Sequence, residues 1–387
     1  MKILVLGNQG RSVANFWTVL MRQAKAAGHD VVCCVPGGDP EADAAIAALG
    51  VPMRHYALER KGLNPVSDAR SFRELRRLFR EERPDLLFTS TIKPVIYGCL
   101  AARAAGVPHV YATITGLGYA FESDSFFKKC IHALSVLLYR TALRRAEGVF
   151  FQNRDDIAVF RRDGIIDGST RVLTARGTGV DVRRFAAAPL PKLPPEGPVA
   201  FLLVGRLLEA KGIAEYAEAA RILKRKWPDA SFRLLGPKES GLGGVSDGDL
   251  ARWQRENGIE YLGETRDVRP YVAACHVLVL PSWREGTPTS VMEAMSMGRP
   301  AVVTDVPGCR EVVRDGENGR MCPARDPGAL ASAMEHFLEH PEDIARMGAK
   351  GRILAENEFD AEKVAGRILA DMRVPCPDRD SMSEQGD

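Results

Sequence analysis

Short apolar runs alternate with segments of helical character along most of this 387-residue chain, and the alternation starts afresh half-way. In the first half, residues 2–6, 31–35, 86–89, 110–114 and 149–152 read as strands; in the second, 199–204, 232–235, 260–262, 277–280 and 301–304 do so. Runs this short and this continuously apolar suit strands buried on both faces, the pattern of parallel sheets covered by helices. A chain of this length is long for a single hydrophobic core. Between the two series, Ala186-Ala-Ala-Pro-Leu-Pro-Lys-Leu-Pro-Pro-Glu-Gly-Pro198 holds five prolines and no periodic pattern, which marks a linker. The expected architecture is α/β, with two doubly wound Rossmann-like domains facing a cleft: residues 1–185, a linker 186–198, and residues 199–361. Residues 374–387 lack apolar content and are expected to be a disordered tail.

Several classes of chemistry are not supported. The eight cysteines include no C-x-x-C pair, and Cys33 and Cys34 sit inside an expected strand, so a reduced, cytoplasmic chain is expected. Met1-Lys-Ile-Leu-Val-Leu-Gly7 reads as a strand and a glycine turn rather than a leader, and no apolar stretch reaches the ~18–20 residues a membrane span needs. Gly7-Asn-Gln-Gly10 does not complete G-x-G-x-x-G, the dinucleotide fingerprint. The triplets Asp247-Gly-Asp249 and Asp378-Arg-Asp380 fall in an expected turn and in the tail, and neither is read as a metal site. No metal, cofactor or nucleic-acid partner is expected.

The chemistry-bearing stretch is Glu285-Gly-Thr-Pro-Thr-Ser-Val-Met-Glu293, which follows the strand at 277–280 and opens a helix closed by Gly298. Thr287 is placed to cap that helix and Pro288 to be its first residue. The free amides around Thr289, Ser290 and Val291 then form an anion site. Glu285 precedes this site on the loop, with little packing role expected for its carboxylate, and Glu293 follows about one and a half turns in. A phosphate at the helix start thus has a carboxylate on either side, and carboxylates accept sugar hydroxyls: hexose on Glu285, diphosphate on the amides, ribose on Glu293. Upstream, the strand at 199–204 runs into Gly205-Arg206, and Lys211-Gly212 opens the next helix. Arg206 and Lys211 belong to the same carboxyl edge of the sheet, where open α/β folds bind ligands, and could neutralise a diphosphate.

Gly205-Arg206…Lys211-Gly212, Leu280-Pro-Ser-Trp-Arg-Glu-Gly-Thr-Pro-Thr-Ser-Val-Met-Glu-Ala294 and Thr304-Asp-Val-Pro-Gly-Cys-Arg-Glu-Val-Val313 together resemble the donor half of glycosyltransferase family 4, retaining enzymes of the GT-B fold. Thr89-Ser-Thr-Ile-Lys-Pro94 and Ala112-Thr-Ile-Thr-Gly-Leu-Gly-Tyr-Ala-Phe121 resemble the bacterial subgroup that extends polyprenyl-diphosphate-linked saccharides. The resemblance implies a hexosyl or N-acetylhexosaminyl transfer from a nucleotide sugar, with UDP the expected carrier. It places Gly205, Gly286 and Pro288 on the donor side, with Gly7 and Asn8 over the cleft, and Thr115, Gly116 and Gly118 on the acceptor side. It also implies that a helix at 362–373 returns to the first domain. Many family members carry a histidine where this chain has Thr115 or Ile114, so no general base is assigned; His109, at the start of that strand, is expected to be buried and structural. The retaining route does not require a base, because the departing β-phosphate oxygen can take the acceptor's proton.

Charge divides unevenly. Residues 1–185 hold 27 Lys and Arg against 18 Asp and Glu, while residues 186–387 hold 26 against 32. A basic first half suits an anionic leaflet or a diphosphate lipid. Within it, Phe126-Phe-Lys-Lys-Cys-Ile-His-Ala-Leu-Ser-Val-Leu-Leu-Tyr-Arg-Thr-Ala-Leu-Arg-Arg145 sets Lys128, Lys129, Arg140, Arg144 and Arg145 among apolar residues. That character fits both an interfacial helix facing the inner leaflet and an ordinary core-facing helix. The expected location is cytoplasmic, peripheral on the inner membrane. A soluble-acceptor transferase, a sugar-nucleotide epimerase of the same fold and a silent partner in a transferase complex are the alternative readings.

Overall fold

The computed structural model describes residues 1–59, 64–117, 126–239, 241 and 243–375, with the backbone alone described for 126–128. The chain divides into two units, Met1–Thr178 with Glu362–Asp387, and Gly179–Ala361. The first holds β1 (Lys2–Leu6), β2 (Asp30–Val35), β3 (Met53–His55), β4 (Leu86–Ser90), β5 (His109–Ile114), β6 (Gly148–Phe151) and β7 (Val172–Thr174). They form one sheet in the order β3-β2-β1-β4-β5-β6-β7, all neighbours parallel. The second holds β8 (Ala200–Val204), β9 (Ser231–Leu235), β10 (Ile259–Tyr261), β11 (Val277–Leu280), β12 (Ala301–Thr304) and β13 (Gly319–Cys322), in the order β10-β9-β8-β11-β12-β13, again all parallel. Both units are therefore doubly wound, with the strand order reversing beside β1 and beside β8.

Central strands are shut in on both faces: every residue of β4, β11 and β12 is buried. The three strands without a sequence signal are β3, β7 and β13, each of three or four residues and without a continuous apolar run. They lie at sheet edges, where half the pairing surface is absent and little apolar area is needed to hold them.

The sequence-based boundaries shift. The division falls at Thr178/Gly179 rather than after Phe185, and Val180 and Phe185 belong to a core of the second unit. The proline-rich segment packs on that unit too: Leu190 and Leu193 lie against its other core. Arg299, fully buried, holds the start of this segment. Its Nη1 donates to the carbonyls of Ala188 (2.5 Å) and Met297 (2.6 Å), its Nη2 to those of Pro189 and Ala273 (2.7 Å each), and its Nε to that of Cys275 (3.3 Å). A planar five-donor guanidinium can satisfy so many carbonyls at once, and an ammonium cannot. The helix Ala361–Asp371 packs into a core of the first unit through Val364, Ile368 and Leu369. Val374 is buried in the same core, so the expected tail does not include it; residues 376–387 lie outside those described.

Arg299→Ala leaves five buried carbonyl contacts unmet. Unfolding in urea should show a loss of about 3–5 kcal/mol, with Arg299→Lys recovering only a minor part; an unchanged midpoint for either variant would contradict this role.

Candidate functional site

At the reversal point of the second sheet, the loops leaving β8 and β11 part toward opposite faces, and this geometry makes a crevice at the strands' carboxyl ends. The loops are tied together by close backbone approach. Gly212, at φ +71°, sits where a Cβ would lie 2.1 Å from the Pro281 carbonyl oxygen, so no larger residue fits. Trp283 N–H donates to the Ala210 carbonyl (2.9 Å), and its indole Nε1–H donates to Glu215 Oε1 (2.8 Å). Arg325 covers the Trp283 ring at 4.2 Å. Gly308 does for the far side of the β11 loop what Gly212 does for the near side: a Cβ there would lie 2.1 Å from the Gly286 carbonyl oxygen.

This stitching brings Lys211 and Glu285 into direct contact, Nζ to Oε1 at 2.5 Å. Ser282 Oγ donates to the same Oε1 at 2.6 Å, and the Ser282 carbonyl accepts from the buried Thr304 hydroxyl. Glu285, with its side chain only 12% exposed, is therefore a packed and bonded residue, not the loosely held loop carboxylate expected from sequence. Arg206 lies further out, 54% exposed, with Nη1 3.3 Å from Glu239 Oε1. A surface pair of this kind costs little to break, so the guanidinium is free to turn to an anion.

The following helix is Thr289–Ser296, capped by Pro288. It starts one residue later than the expected Thr287 cap and Pro288 first position. Pro288 at the cap has no side-chain acceptor, so the amides of Thr289, Ser290 and Val291 have no intrahelical or side-chain partner among the described residues. Released from capping, the Thr287 hydroxyl is buried and unpartnered among the described residues. Glu293 lies in the second turn of this helix, and burial pushes its carboxyl up to about 7, against a smaller opposing pull from Arg184. Among the described residues this carboxyl has no hydrogen-bond partner, so its environment favours the neutral form.

Other expected residues fall elsewhere. Gly7 belongs to the first unit, and its backbone is committed: its N–H donates to the Cys34 carbonyl (3.0 Å) and its carbonyl accepts from the Tyr56 hydroxyl (2.9 Å). The space of its missing Cβ is taken by Val13, 2.2 Å from where that atom would stand, so the glycine serves helix packing. Asn8 follows it, half-buried, and Thr115 and Gly116 follow β5, also half-buried; Gly118 lies outside the described residues. His109 is exposed, not buried, with Nδ1 2.7 Å from Glu147 Oε2. Lys129, Arg144 and Arg145 are exposed, and the Lys128 side chain lies outside those described. Arg140 is spent on structure, donating to the carbonyls of Gly164 (2.6 Å) and Asp163 (3.2 Å). Asp247 and Asp249 open a helix capped by Ser246, while Asp378 and Asp380 lie outside the described residues. Sequence reasoning missed Ser282, Trp283 and Thr304 as supports of the site. Ser282 and Glu285 do show the Ser-x-x-Glu spacing that often marks a reciprocal hydrogen bond.

Residues 198–340 match the family described as Glycosyl transferases group 1, and residues 13–177 match the Glycosyl transferase 4-like domain. The chain belongs to this glycosyltransferase family and is a hexosyltransferase of the GT-B fold. A similar curated protein is the N,N'-diacetylbacillosaminyl-diphospho-undecaprenol alpha-1,3-N-acetylgalactosaminyltransferase of Campylobacter jejuni, 25% identical over 95% of this chain and 97% of that one. Another is the UDP-Gal:alpha-D-GlcNAc-diphosphoundecaprenol alpha-1,3-galactosyltransferase of Escherichia coli, 26% identical over 71% of each. The fold is shared with Anabaena HepE, solved with UDP and glucose (TM-score 0.75, 18% identity, 97% of this chain and 100% of that one). It is shared too with the sucrose-phosphate synthase of Thermosynechococcus elongatus (TM-score 0.79, 18% identity, 96% and 98%).

The raised Glu293 carboxyl has a pH signature. Between its ordinary value of 4.5 and about 7 the folded chain keeps a proton that the unfolded chain has lost, so stability falls as pH rises through this window. Urea unfolding of wild type and Glu293→Gln should diverge across it, by on the order of 2–3 kcal/mol at the upper end in favour of the glutamine. Parallel profiles from pH 4.5 to 8 would contradict the burial of this group.

Proposed function

We propose that this enzyme transfers a hexose or N-acetylhexosamine from a UDP-sugar, with retention at the anomeric carbon, to a saccharide carried on polyprenyl diphosphate. The observation that carries the proposal is the Lys211–Glu285 pair at the switch-point edge, next to an uncapped helix N-terminus. The two curated relatives, both named for transfer onto undecaprenyl-diphosphate sugars, support the acceptor class.

In this reading the diphosphate lies on the amides of residues 289–291, with Lys211 and Arg206 facing its oxygens. Lys211 can hold Glu285 and a phosphate oxygen together, because an ammonium has three donors. Glu285 Oε1 already accepts from Lys211 and Ser282, so its second oxygen is the one offered to a donor-sugar hydroxyl. Glu293 takes the ribose hydroxyls. As the sugar–phosphate bond lengthens, charge grows on the β-phosphate, where these fixed donors stabilise it without reorganising. The acceptor hydroxyl attacks from the face the diphosphate leaves and gives its proton to the departing oxygen. Thr115 and Gly116 serve the acceptor side. The two cations supply the countercharge, so the reaction proceeds without a divalent metal.

The enzyme acts from the cytoplasmic face, peripherally, through the basic first unit. Among the described residues no helix is long and apolar enough to cross a membrane. The direct test is incubation with radiolabelled nucleotide sugars and a membrane lipid extract. Label should appear in a solvent-extractable, acid-labile product; conversion of the donor without transfer would instead identify an epimerase.

Glu285→Gln and Glu285→Ala should each lower kcat/KM by about 10²-fold or more in protein that an unfolding transition shows to be folded. Near-normal turnover by a folded variant would remove Glu285 from the site.

Activity should survive EDTA, while Arg206→Ala and Lys211→Ala should each lose most of it. Loss in EDTA that Mg²⁺ or Mn²⁺ restores would contradict the role given to the cations.

A further inference from the structure

The first unit contains a cavity of about 750 Å³ that no step above uses. Its walls come from the helices Pro65–Glu82, Cys99–Ala105 and Phe126–Leu143, together with the π-helical turn Pro94–Gly98. Phe72, Tyr97, Leu100, Leu134 and Leu138 make the lining apolar, and the volume falls within the ~300–1,000 Å³ of pockets that enclose small organic ligands. We infer that this groove holds the isoprenoid chain of the lipid-linked acceptor; the inference rests on the acceptor class proposed above.

Charge at the groove favours a lipid carrying an anionic group. Asp68, the one acid of the lining, is already committed: Lys93 Nζ donates to its Oδ1 at 2.8 Å and the Tyr97 hydroxyl bonds it as well. Arg103, the one cation of the lining, is exposed and has no partner among the described residues. An apolar channel with one uncompensated positive charge suits a hydrocarbon chain ending in diphosphate.

Position agrees with charge. The wall carrying Tyr97, Leu100 and Arg103 continues directly from the carboxyl end of β4, through Thr91 and the π-helical turn. Thr91 holds φ +73°, a costly conformation for a β-branched residue, and its hydroxyl is buried and unpartnered among the described residues. Strain of this kind next to a π-helical turn is characteristic of ligand sites. A chain lying in the groove therefore has its polar end directed toward the strand edge where acceptors bind in open α/β sheets.

The apolar surface also continues outward. Leu137, one turn beyond Leu134, is 59% exposed, and Val66, next to Pro65 of the lining, is 80% exposed. Leu134 itself is 43% exposed; among the described residues the large exposed apolar side chains elsewhere are Met1, Phe16, Ile222 and Ile353, far apart in the sequence.

The test compares two acceptors with the same saccharide diphosphate head, one on an undecaprenyl chain and one on a geranyl chain. The wild type should prefer the longer chain by about ten-fold or more in kcat/KM, since each additional buried methylene adds to transition-state binding. Ala104→Trp, which fills the groove from an exposed position, and Leu134→Gln, which makes its wall polar, should each bring that ratio toward one. Ile222→Trp, on the second unit, should leave it unchanged. A benzophenone-bearing geranylgeranyl diphosphate should crosslink to residues of the groove helices in the wild type and several-fold less in Ala104→Trp. An unchanged chain-length ratio in both groove variants, or crosslinks confined to other segments, overturns the groove while leaving the acceptor class standing. Failure of the wild type to use either lipid-linked acceptor overturns the acceptor class and the groove together.

Discussion

A parallel sheet whose strand order reverses leaves two neighbouring loops pointing away from each other, and the donor-side chemistry depends on drawing them back together. In the second unit this falls to Gly212 and Gly308, whose missing side chains let loop backbones touch, and to the Lys211–Glu285 ion pair they permit. The pair alone would be a weak fastening, because desolvating two charges offsets much of their attraction. It holds because Ser282, Trp283 and Thr304 satisfy the surrounding donors and acceptors. The site is thus largely built before any ligand arrives, as electrostatic catalysis requires.

The two acids of the Glu-x7-Glu stretch are prepared for different tasks by different surroundings. Glu285 has an ammonium and a hydroxyl against one oxygen, which keeps a defined geometry and leaves the other oxygen for a ligand. Glu293 has no such partners, and burial alone raises its carboxyl to about 7. In the proposed reading a ribose hydroxyl supplies the missing bond, and nucleotide binding would then be coupled to ionisation of Glu293. The same logic separates the first unit's features: Arg140 is spent on loop carbonyls, whereas the Arg103 side chain is exposed and has no partner among the described residues.

Much of the fold was legible because buried parallel strands announce themselves as continuous apolar runs, as β4, β11 and β12 do. Edge strands such as β3 and β7 bury too little to leave that mark. The division at Thr178/Gly179 was obscured by the prolines of 186–198, whose irregular backbone is held by Arg299, a residue far along the chain with no local signal. At the site, residue types and order were readable from Arg206, Lys211, Glu285 and Glu293, but contact was not. That Lys211 meets Glu285 depends on a chain separation of 74 residues and on glycines whose need is visible only in three dimensions. Thr287 resembled a helix cap by type, yet the helix begins at Thr289, which leaves its hydroxyl unpaired.

The central claim is that the carboxyl edge beside β8 and β11 binds the nucleotide diphosphate. Hydrogen–deuterium exchange with and without UDP tests it most directly, because amides that bind phosphate exchange more slowly. Slowed exchange in the segments 205–213 and 286–293 is the predicted result, diminished in Lys211→Ala. Unchanged exchange in both segments under saturating UDP, with slowing confined to other parts of the chain, would contradict the account.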